Sequence, residues 1–265
     1  MRYFNLHNRA ILGELVRADF KVRYQGSMLG YAWSLLRPLL LFAVLYIMFV
    51  YIIPLGNGVE HFPVYLLTGI ILWNFFCEST VQGLISVVAR GDLLRKIKIP
   101  KYLLVVSSAV SALINLGLSL VVLVVFAVCN GEMPNLRWLL MLPLILEMFS
   151  FSVGISFLLS SLYVKYRDIS YIWEVFLQIG FYASVIIFPL STIATHLHKW
   201  FFLNPIVQIV QDARYAMATT TSITIWSAEG VGWIRILFPF CLILSIIILG
   251  GIIFKSRSKT FAEDI

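Results

Sequence analysis

Three glutamates lie inside or at the ends of long apolar stretches: Glu78, Glu147 and Glu174. An ionised side chain at the centre of a bilayer costs about 2.5–3.5 kcal/mol on insertion scales, so such groups usually face a bundle interior or a water-filled cavity. Glu78 lies deepest within its stretch and is the strongest candidate for an intramembrane polar site. A role in gating or proton coupling and a structural, hydrogen-bonded role are both open for it.

A second polar set consists of His196, His198 and Asp212. Two histidines at i and i+2 do not share a helical face, and metal sites need three or four convergent ligands. A pair of interfacial histidines is therefore favoured over a metal site. Neither the G-x-x-x-x-G-K-[ST] loop nor a G-x-G-x-x-G turn occurs in the chain, so any ATP-driven work needs an ATPase on another subunit.

Aromatic side chains form a third set, with 20 Phe, 12 Tyr and 7 Trp in the chain. One group follows the i, i+4, i+7 spacing of a single helix face, and a second group lies further along. Packing is the commoner role of such stripes. A sugar conduit is the alternative, because flat rings offer sugar C–H groups weak contacts that permit sliding. The candidate conduit residues are Phe42, Tyr46, Phe49, Phe176, Phe181 and Tyr182.

Six apolar stretches must position these groups, at residues 35–53, 64–88, 102–129, 138–162, 172–188 and 233–254. Each is long enough for a hydrocarbon core that needs about 20 residues of helix. Hydrophobic residues make up 60% of the chain and charged residues 12%, against about half and a quarter in soluble domains. The predicted fold class is an all-α membrane protein with six transmembrane helices in a single domain, 1–265.

Lys and Arg lie almost wholly on one side of these stretches. Sixteen of the 20 basic residues fall on the side that carries both termini, and only Arg137, Lys199, Arg214 and Arg235 fall on the other. This positive-inside bias predicts that both termini are cytoplasmic. The formal charge of +7 then reflects topology and attraction to anionic lipid, and it argues against nucleic acid as a partner.

Residues 6–24, within the cytoplasmic region 1–34, have the pattern of a basic amphipathic helix at the membrane interface. Asp19 and Arg23 interrupt its apolar stripe and are spaced to pair at i, i+4. An ordinary charged flank is the alternative. The stripe comprises Leu12, Val16, Phe20 and Tyr24, and the basic residues Arg17 and Lys21 lie on another face with Glu14.

Two gaps between stretches are more than simple connections. Residues 89–101 form a short basic, helix-like run, and Pro100 is expected to open or end a helix. This run is either an orientation signal or a helix that docks on a cytoplasmic partner. Residues 189–232 carry more apolar surface than an exposed loop tolerates, which predicts re-entrant or interfacial helices on the outer face.

Several short motifs, in order and spacing, resemble the permeases of ABC-2 type polysaccharide exporters, which export O-antigens, capsules and teichoic acids. The resemblance covers nearly the whole chain. The motifs are Arg17–Tyr24, Leu29-Gly30-Tyr31-Ala32-Trp33, Arg37-Pro38, Thr68-Gly69, Trp73-Asn74-Phe75-Phe76, Lys96–Pro100, Tyr166-Arg167-Asp168-Ile169, Phe188-Pro189 and Leu203-Asn204-Pro205.

This resemblance implies a half-transporter of the bacterial inner membrane. Two copies would form the pore, two ATPase subunits would bind ATP and Mg²⁺ beneath it, and an undecaprenyl-linked polysaccharide would pass; this chain would hold no cofactor. Residues 6–24 would be the interface helix, with Arg17, Phe20, Lys21, Arg23 and Tyr24. The coupling segment would be 89–101, with Asp92, Arg95, Lys96, Lys98 and Pro100. The six-span bundle would be 35–254, and 255–265 a cytoplasmic tail.

Three rival interpretations remain. An ABC-2 exporter of a drug or lipid would share the six spans and the coupling segment. An integral membrane glycan acyltransferase or ligase would use His196, His198 and Asp212. A secondary carrier is disfavoured, because neither inverted repeats nor paired intramembrane charges are evident.

Overall fold

The structure, a computed structural model, describes residues 6–24, 32–53, 58–96, 99–228 and 232–261. All secondary structure assigned within these ranges is helical, which confirms the predicted all-α class. The helices are α1 (Leu6–Tyr24), α2 (Ala32–Ile47), α3 (Phe62–Ala89), α4 (Gly91–Lys96), α5 (Tyr102–Cys129), α6 (Met141–Tyr163), α7 (Ile169–Ala183), α8 (Thr195–Phe201), α9 (Pro205–Met217) and α10 (Trp233–Arg257). A π-helical turn, Met48–Ile52, extends α2, and 3-10 turns at Leu136–Leu140 and Leu190–Thr192 precede α6 and α8.

Within the described ranges, four helical segments are long and apolar enough to cross a membrane: Phe62–Ala89, Tyr102–Cys129, Leu136–Tyr163 and Trp233–Arg257. They correspond to the second, third, fourth and sixth predicted stretches. The first stretch contains a shorter apolar helix, Pro38–Ile52. The fifth differs more, because α7 has 15 residues and ends at Ala183 instead of Phe188. The predicted helix end is wrong there, since Val185 adopts a left-handed backbone with φ of 56°.

The start of α9 shows how local sequence sets a helix boundary. Pro205 is its first residue, where the missing N–H loses no helical hydrogen bond. The Asn204 side chain accepts a hydrogen bond from the Ile206 N–H at 3.0 Å, as a helix N-cap does. The Asn-Pro pair therefore ends one apolar piece of the outer segment and begins the next.

Helix α3 lies at the centre of the bundle and packs against α2, α5, α6, α7 and α9. Leu66, Leu67 and Ile70 have no exposed surface. Because lipid tails are as apolar as leucine, close packing between helices stabilises such a bundle more than hydrophobic burial does.

Small residues allow the closest helix contacts. Gly83 of α3 lies against Ser156 of α6, and Gly154 of α6 lies against Gly250 of α10. A Cβ at position 250 would come 2.5 Å from the Gly154 carbonyl oxygen, so the two backbones nearly touch. This arrangement is typical of membrane helix pairs.

Candidate functional site

Helix α1 packs across the N-terminal part of α5. Among its described side chains Leu15 is the most buried, and it joins Leu103 and Leu104 in one apolar cluster, with Ile11 and Leu12 beside it. The segment is a helix, as predicted, but its docked stripe is shifted towards Leu15.

The other predicted α1 residues lie mainly towards the outside. Val16 and Phe20 are half-buried, and Lys21 is exposed. Arg17 is exposed and donates a hydrogen bond to Glu14 at 3.0 Å. The side chains of Arg23 and Tyr24 lie outside the described residues.

The i, i+4 partner that the sequence spacing indicates for Asp19 is Arg23, whose side chain lies outside the described residues. Asp19 pairs with a residue that is distant in the sequence. It forms an ion pair with Arg90, which stands between α3 and α4. Arg90 also donates to the Ser107 hydroxyl at 3.0 Å, and the Ser111 hydroxyl donates to Asp19 at 3.4 Å. This Asp19–Arg90 junction (Asp19, Arg90, Ser107 and Ser111) joins α1, the start of α4, and α5. Asp19, the charged residue that interrupts the apolar stripe, thus helps to hold α1 against the start of α4 and α5.

The predicted coupling segment contains a short helix, α4. Its residues Leu93 and Leu94 pack inward against the cluster around Leu15, whereas Asp92 and Lys96 are exposed. The backbone of Arg95 is helical, but its side chain lies outside the described residues, as does all of Lys98.

Pro100 opens the next helix, as predicted. Its carbonyl accepts a hydrogen bond from the Leu103 N–H at 3.0 Å, in the first turn of α5. The exposed positions of α4 therefore lie between two fixed points, Arg90 and Pro100.

The last described residues, which follow α10, return to this same end of the bundle. Phe261 is buried against Val87, Val105, Val164 and Phe254. The Lys101 ammonium lies 5.6 Å from the centre of the Phe261 ring and donates to the Ser258 carbonyl. Helices α1 and α4 and the chain's last described residues are thus grouped together.

The three conduit candidates of α2 and of the π-helical turn that extends it face the interior of their own chain to different degrees. Phe42 and Phe49 are 8% and 6% exposed and belong to the main core. Tyr46 is half-buried, and its ring stacks on Phe42 with centroids 5.7 Å apart. The Phe42 ring also meets Phe126 of α5 edge to face.

The three candidates of α7 are more open. Phe176 and Tyr182 are 61% and 64% exposed, and Phe181 is half-buried with its ring 6.0 Å from Trp73. Within one copy of the chain, the six rings therefore do not share one surface. Their role in a conduit stays a prediction. Of the six rings, those on α7 are the more accessible.

Glu78 lies between α3 and α5 and is well hydrogen-bonded. Its carboxylate accepts from the Asn115 amide at 2.6 Å and from the Gln82 amide at 3.0 Å. Two amide donors offset much of the cost of a carboxylate away from water. This arrangement supports the structural interpretation of Glu78.

The proposed histidine set does not come together. His198 is buried, and its Nε2 lies 3.0 Å from the Leu190 carbonyl and 2.9 Å from that of Ile193. His196 is exposed. Asp212 accepts instead from Gln208 at 3.0 Å. Burial raises the pKa of the Asp212 carboxyl to about 6, against the opposing effect of the Gln208 hydrogen bond.

Gln208 also links Asp212 to the fourth predicted stretch. Its amide lies 3.4 Å from the Glu147 carboxylate of α6, as a weak hydrogen bond. Glu174, in contrast, is exposed on α7. In the described part of the chain, no three His, Cys, Asp or Glu side chains gather as a metal site requires.

Arg214 is the residue that the sequence interpretation missed. It was counted as an outer flanking charge, yet it is fully buried in α9. The apolar residues around it, Val210, Ala213 and Met217, were the available signal, because they place position 214 next to a buried face. Burial lowers the pKa of the guanidinium, and Tyr65 opposes that shift.

Comparison with known proteins identifies the family. The model of the ABC-2 type transporter family, ABC2_membrane, matches residues 12–218. The O-antigen export system permease protein RfbA of Myxococcus xanthus is 28% identical over 273 residues, covering 97% of this chain and 96% of the relative. RfbA of Klebsiella pneumoniae is 28% identical, covering 96% and 94%.

A more distant relative is the polysialic acid transport protein KpsM of Escherichia coli. It is 23% identical over 203 residues, covering 75% of this chain and 78% of the relative. The family match begins within α1, at Leu12, and ends just after α9, at Ala218. The resemblance drawn from the motifs is confirmed, and the chain belongs to the ABC-2 type transporter family.

Proposed function

We propose that this chain is the permease subunit of an ABC transporter that exports a lipid-linked polysaccharide across the cytoplasmic membrane. The observation that carries the proposal is the similarity, over almost the full length of both proteins, to permeases named for O-antigen export. A separate subunit would bind ATP and Mg²⁺ and supply the energy.

The proposed assembly contains two copies of this chain and two ATPase subunits, with six spans per copy and both termini in the cytoplasm. The helix α2 with its π-helical turn would be the first span and α7 the fifth. Grouping of α1, α4 and Phe261 at one end of the bundle supports this orientation. So does the concentration of Lys and Arg at that end.

The outer segment would form the exit side as re-entrant or interfacial helices. Helix α9 supports this proposal because Val207, Ile209 and Val210 are fully buried, although the helix is too short to span a bilayer. Irregular backbone at membrane depth is tolerated where protein buries it.

The function is tested by deleting the gene and measuring polymer on intact and on lysed cells with a lectin or antibody. The expected result is polymer retained inside the deletion strain and returned to the surface when the intact gene is supplied. Normal surface polymer in the deletion strain would contradict the proposal. Altered drug sensitivity or lipid distribution in that strain would favour the alternative ABC-2 exporter of a drug or lipid.

Replacing both Lys96 and Lys98 by Glu is expected to weaken binding of the ATPase subunit about tenfold or more. Reversing these charges at an interface would replace attraction to the partner's surface by repulsion. Lys96 is exposed on α4, so its change leaves the packing of that helix intact. The measurement is co-purification of the ATPase with the tagged permease. The Lys199→Glu variant, outside the coupling segment, is the control. Undiminished co-purification would count against the coupling role.

Exchanging Phe176 and Tyr182 for Ala is expected to lower export of long glycans several-fold, because the glycan loses two flat aromatic faces as contact surfaces. Both rings are exposed in the single chain, so folding should be little affected. Phe42→Ala and Tyr46→Ala are also expected to lower export, but burial of Phe42 adds a loss of stability. Surface polymer length is measured on gels. Leu146→Ala, 65% exposed on α6, is the control; equal polymer length in all variants would contradict a conduit.

A further inference from the structure

The outer end of the fifth predicted span is held by one buried cation. The Arg214 guanidinium donates to the Val185 carbonyl at 2.8 Å and to the Ile186 carbonyl at 2.7 Å. These two carbonyls belong to the residues that follow the end of α7, where helical partners are lost. Asn204, at the start of α9, donates to the Ser184 hydroxyl at 3.0 Å. The break after Ala183 is thus fastened to α9 at two points.

The remaining contacts of Arg214 fix its position against α3. It donates to the Tyr65 carbonyl at 3.1 Å and to the Tyr65 hydroxyl and the Gln211 side chain, each at 3.1 Å. The guanidinium carbon lies 3.8 Å from the centre of the Tyr65 ring. All five acceptors are neutral oxygens, so the buried charge is held by dipoles and a ring face. A Cβ at position 69 would come 2.7 Å from Nη2 of Arg214. The guanidinium therefore fits here only because residue 69 is a glycine.

The fastened segment is strained. Val185 is fully buried and has a φ of 56°, in the left-handed region that β-branched residues rarely adopt. Such a conformation persists only where surrounding contacts impose it, and it is frequent in switch regions. Here the imposing contacts are those of Arg214 and Asn204.

Helix α7 is shorter than a membrane span, and residues 184–188 would complete its length if they were helical. Its 15 residues cover about 22 Å at 1.5 Å per residue, short of the roughly 30 Å of a hydrocarbon core. Continuation of the helix through residues 184–188 would bring it to about 30 Å. Pro189 follows directly and would end the longer helix there.

We propose that Arg214 is the positioning residue of an exit latch, which holds residues 184–188 out of the fifth helix in the resting state. Opening of the exit breaks its bonds to Val185 and Ile186, and the segment rejoins α7. Arg214 retains its bonds to Tyr65 and Gln211 and stays in place. This inference rests on the proposed function and concerns its regulation.

The first test locks the segment. Cys77, Cys129 and Cys241 are replaced, and the pair Ser184→Cys with Asn204→Cys is introduced, since the native side chains meet. Oxidation to the disulfide is expected to lower export about tenfold or more, with recovery on reduction, because a disulfide holds its Cα atoms within about 7 Å. Fully cross-linked protein that exports at the rate of the reduced protein would overturn the latch.

The second test needs no transport. In the same double-cysteine background, Arg214→Met and Arg214→Lys are expected to slow disulfide formation about tenfold, because both variants lose the paired guanidinium hydrogen bonds to Val185 and Ile186 that hold the segment. Lys keeps the charge but not the planar fork, so it tests geometry if Met prevents folding. Arg235→Met is the matched control, being a half-buried arginine at the start of α10. Gly69→Ala should slow disulfide formation as much as Arg214→Lys does, because its Cβ would displace the guanidinium.

The outcomes separate the two proposals. Cross-linking at the parent rate in both Arg214 variants overturns the latch, whether or not glycan is exported. Absence of glycan export by the parent chain with its ATPase overturns the proposed function, while the cross-linking rates still decide the latch.

Discussion

Arg90→Glu is expected to abolish most export while the chain remains inserted in the membrane and bound to its partners. The substitution turns the ion pair of the Asp19–Arg90 junction into two facing carboxylates and removes the hydrogen bond to Ser107. Each lost hydrogen bond to a charged group costs about 1.5–3 kcal/mol, which is roughly ten- to hundredfold in the population of docked α1. Helix α1 would then no longer move together with the start of α4.

The measurements are export, ATP hydrolysis and co-purification of the ATPase in the same preparation. The expected signature is continued hydrolysis with little export, because the binding surface on α4 is retained. Asp19→Asn should have a weaker effect, since it removes the charge but keeps the shape. Combining Asp19→Arg with Arg90→Asp should restore part of the export lost in Arg90→Glu.

The control lies on the same helix. Glu14 and Arg17 form an exposed ion pair, which contributes at most about 1 kcal/mol, so Glu14→Gln should leave export unchanged. Normal export by Arg90→Glu, or a charge exchange no better than the single substitution, would show that the junction does not transmit movement.

Gly250→Leu is expected to prevent stable packing of α10 on α6. The first atom of the new side chain would lie 2.5 Å from the Gly154 carbonyl oxygen, and a backbone atom cannot rotate away. Overpacking typically costs about 1–3 kcal/mol, and contact with a backbone atom that cannot move places this substitution at the upper end of that range, so the helices must separate. For a chain of this size that corresponds to a fall of roughly 6–12 °C in the apparent Tm.

The neighbouring glycine provides a matched control for Gly250→Leu. Gly251 faces open space, with nothing within 4 Å of its Cβ position, so Gly251→Leu should leave the Tm nearly unchanged. Size-exclusion chromatography after heating in detergent measures the surviving folded fraction of both variants. Equal survival of the two would contradict the close contact between α6 and α10.

The short helix before Pro100 was predicted more completely from sequence than the burial of the aromatic rings. Pro100 and the short basic helix before it depend on local chemistry, so their placement followed from the residue types. The exposure of a ring depends on which helices lie beside it. The i, i+4, i+7 spacing of Phe42, Tyr46 and Phe49 put them on one face, but only packing decided that Phe42 and Phe49 lie in the core.

Hydropathy, charge distribution and local motifs in the sequence alone determined the all-helical class, four of the apolar helices, the helix before the first stretch and the family. These are sums of local properties along the chain. The tertiary structure alone decided that Asp19 pairs with Arg90, 71 positions away, and that Arg214 reaches Tyr65, 149 positions away. It also decided that α7 ends at Ala183, where Val185 adopts a left-handed backbone and the carbonyls of Val185 and Ile186 accept hydrogen bonds from a buried arginine on another helix.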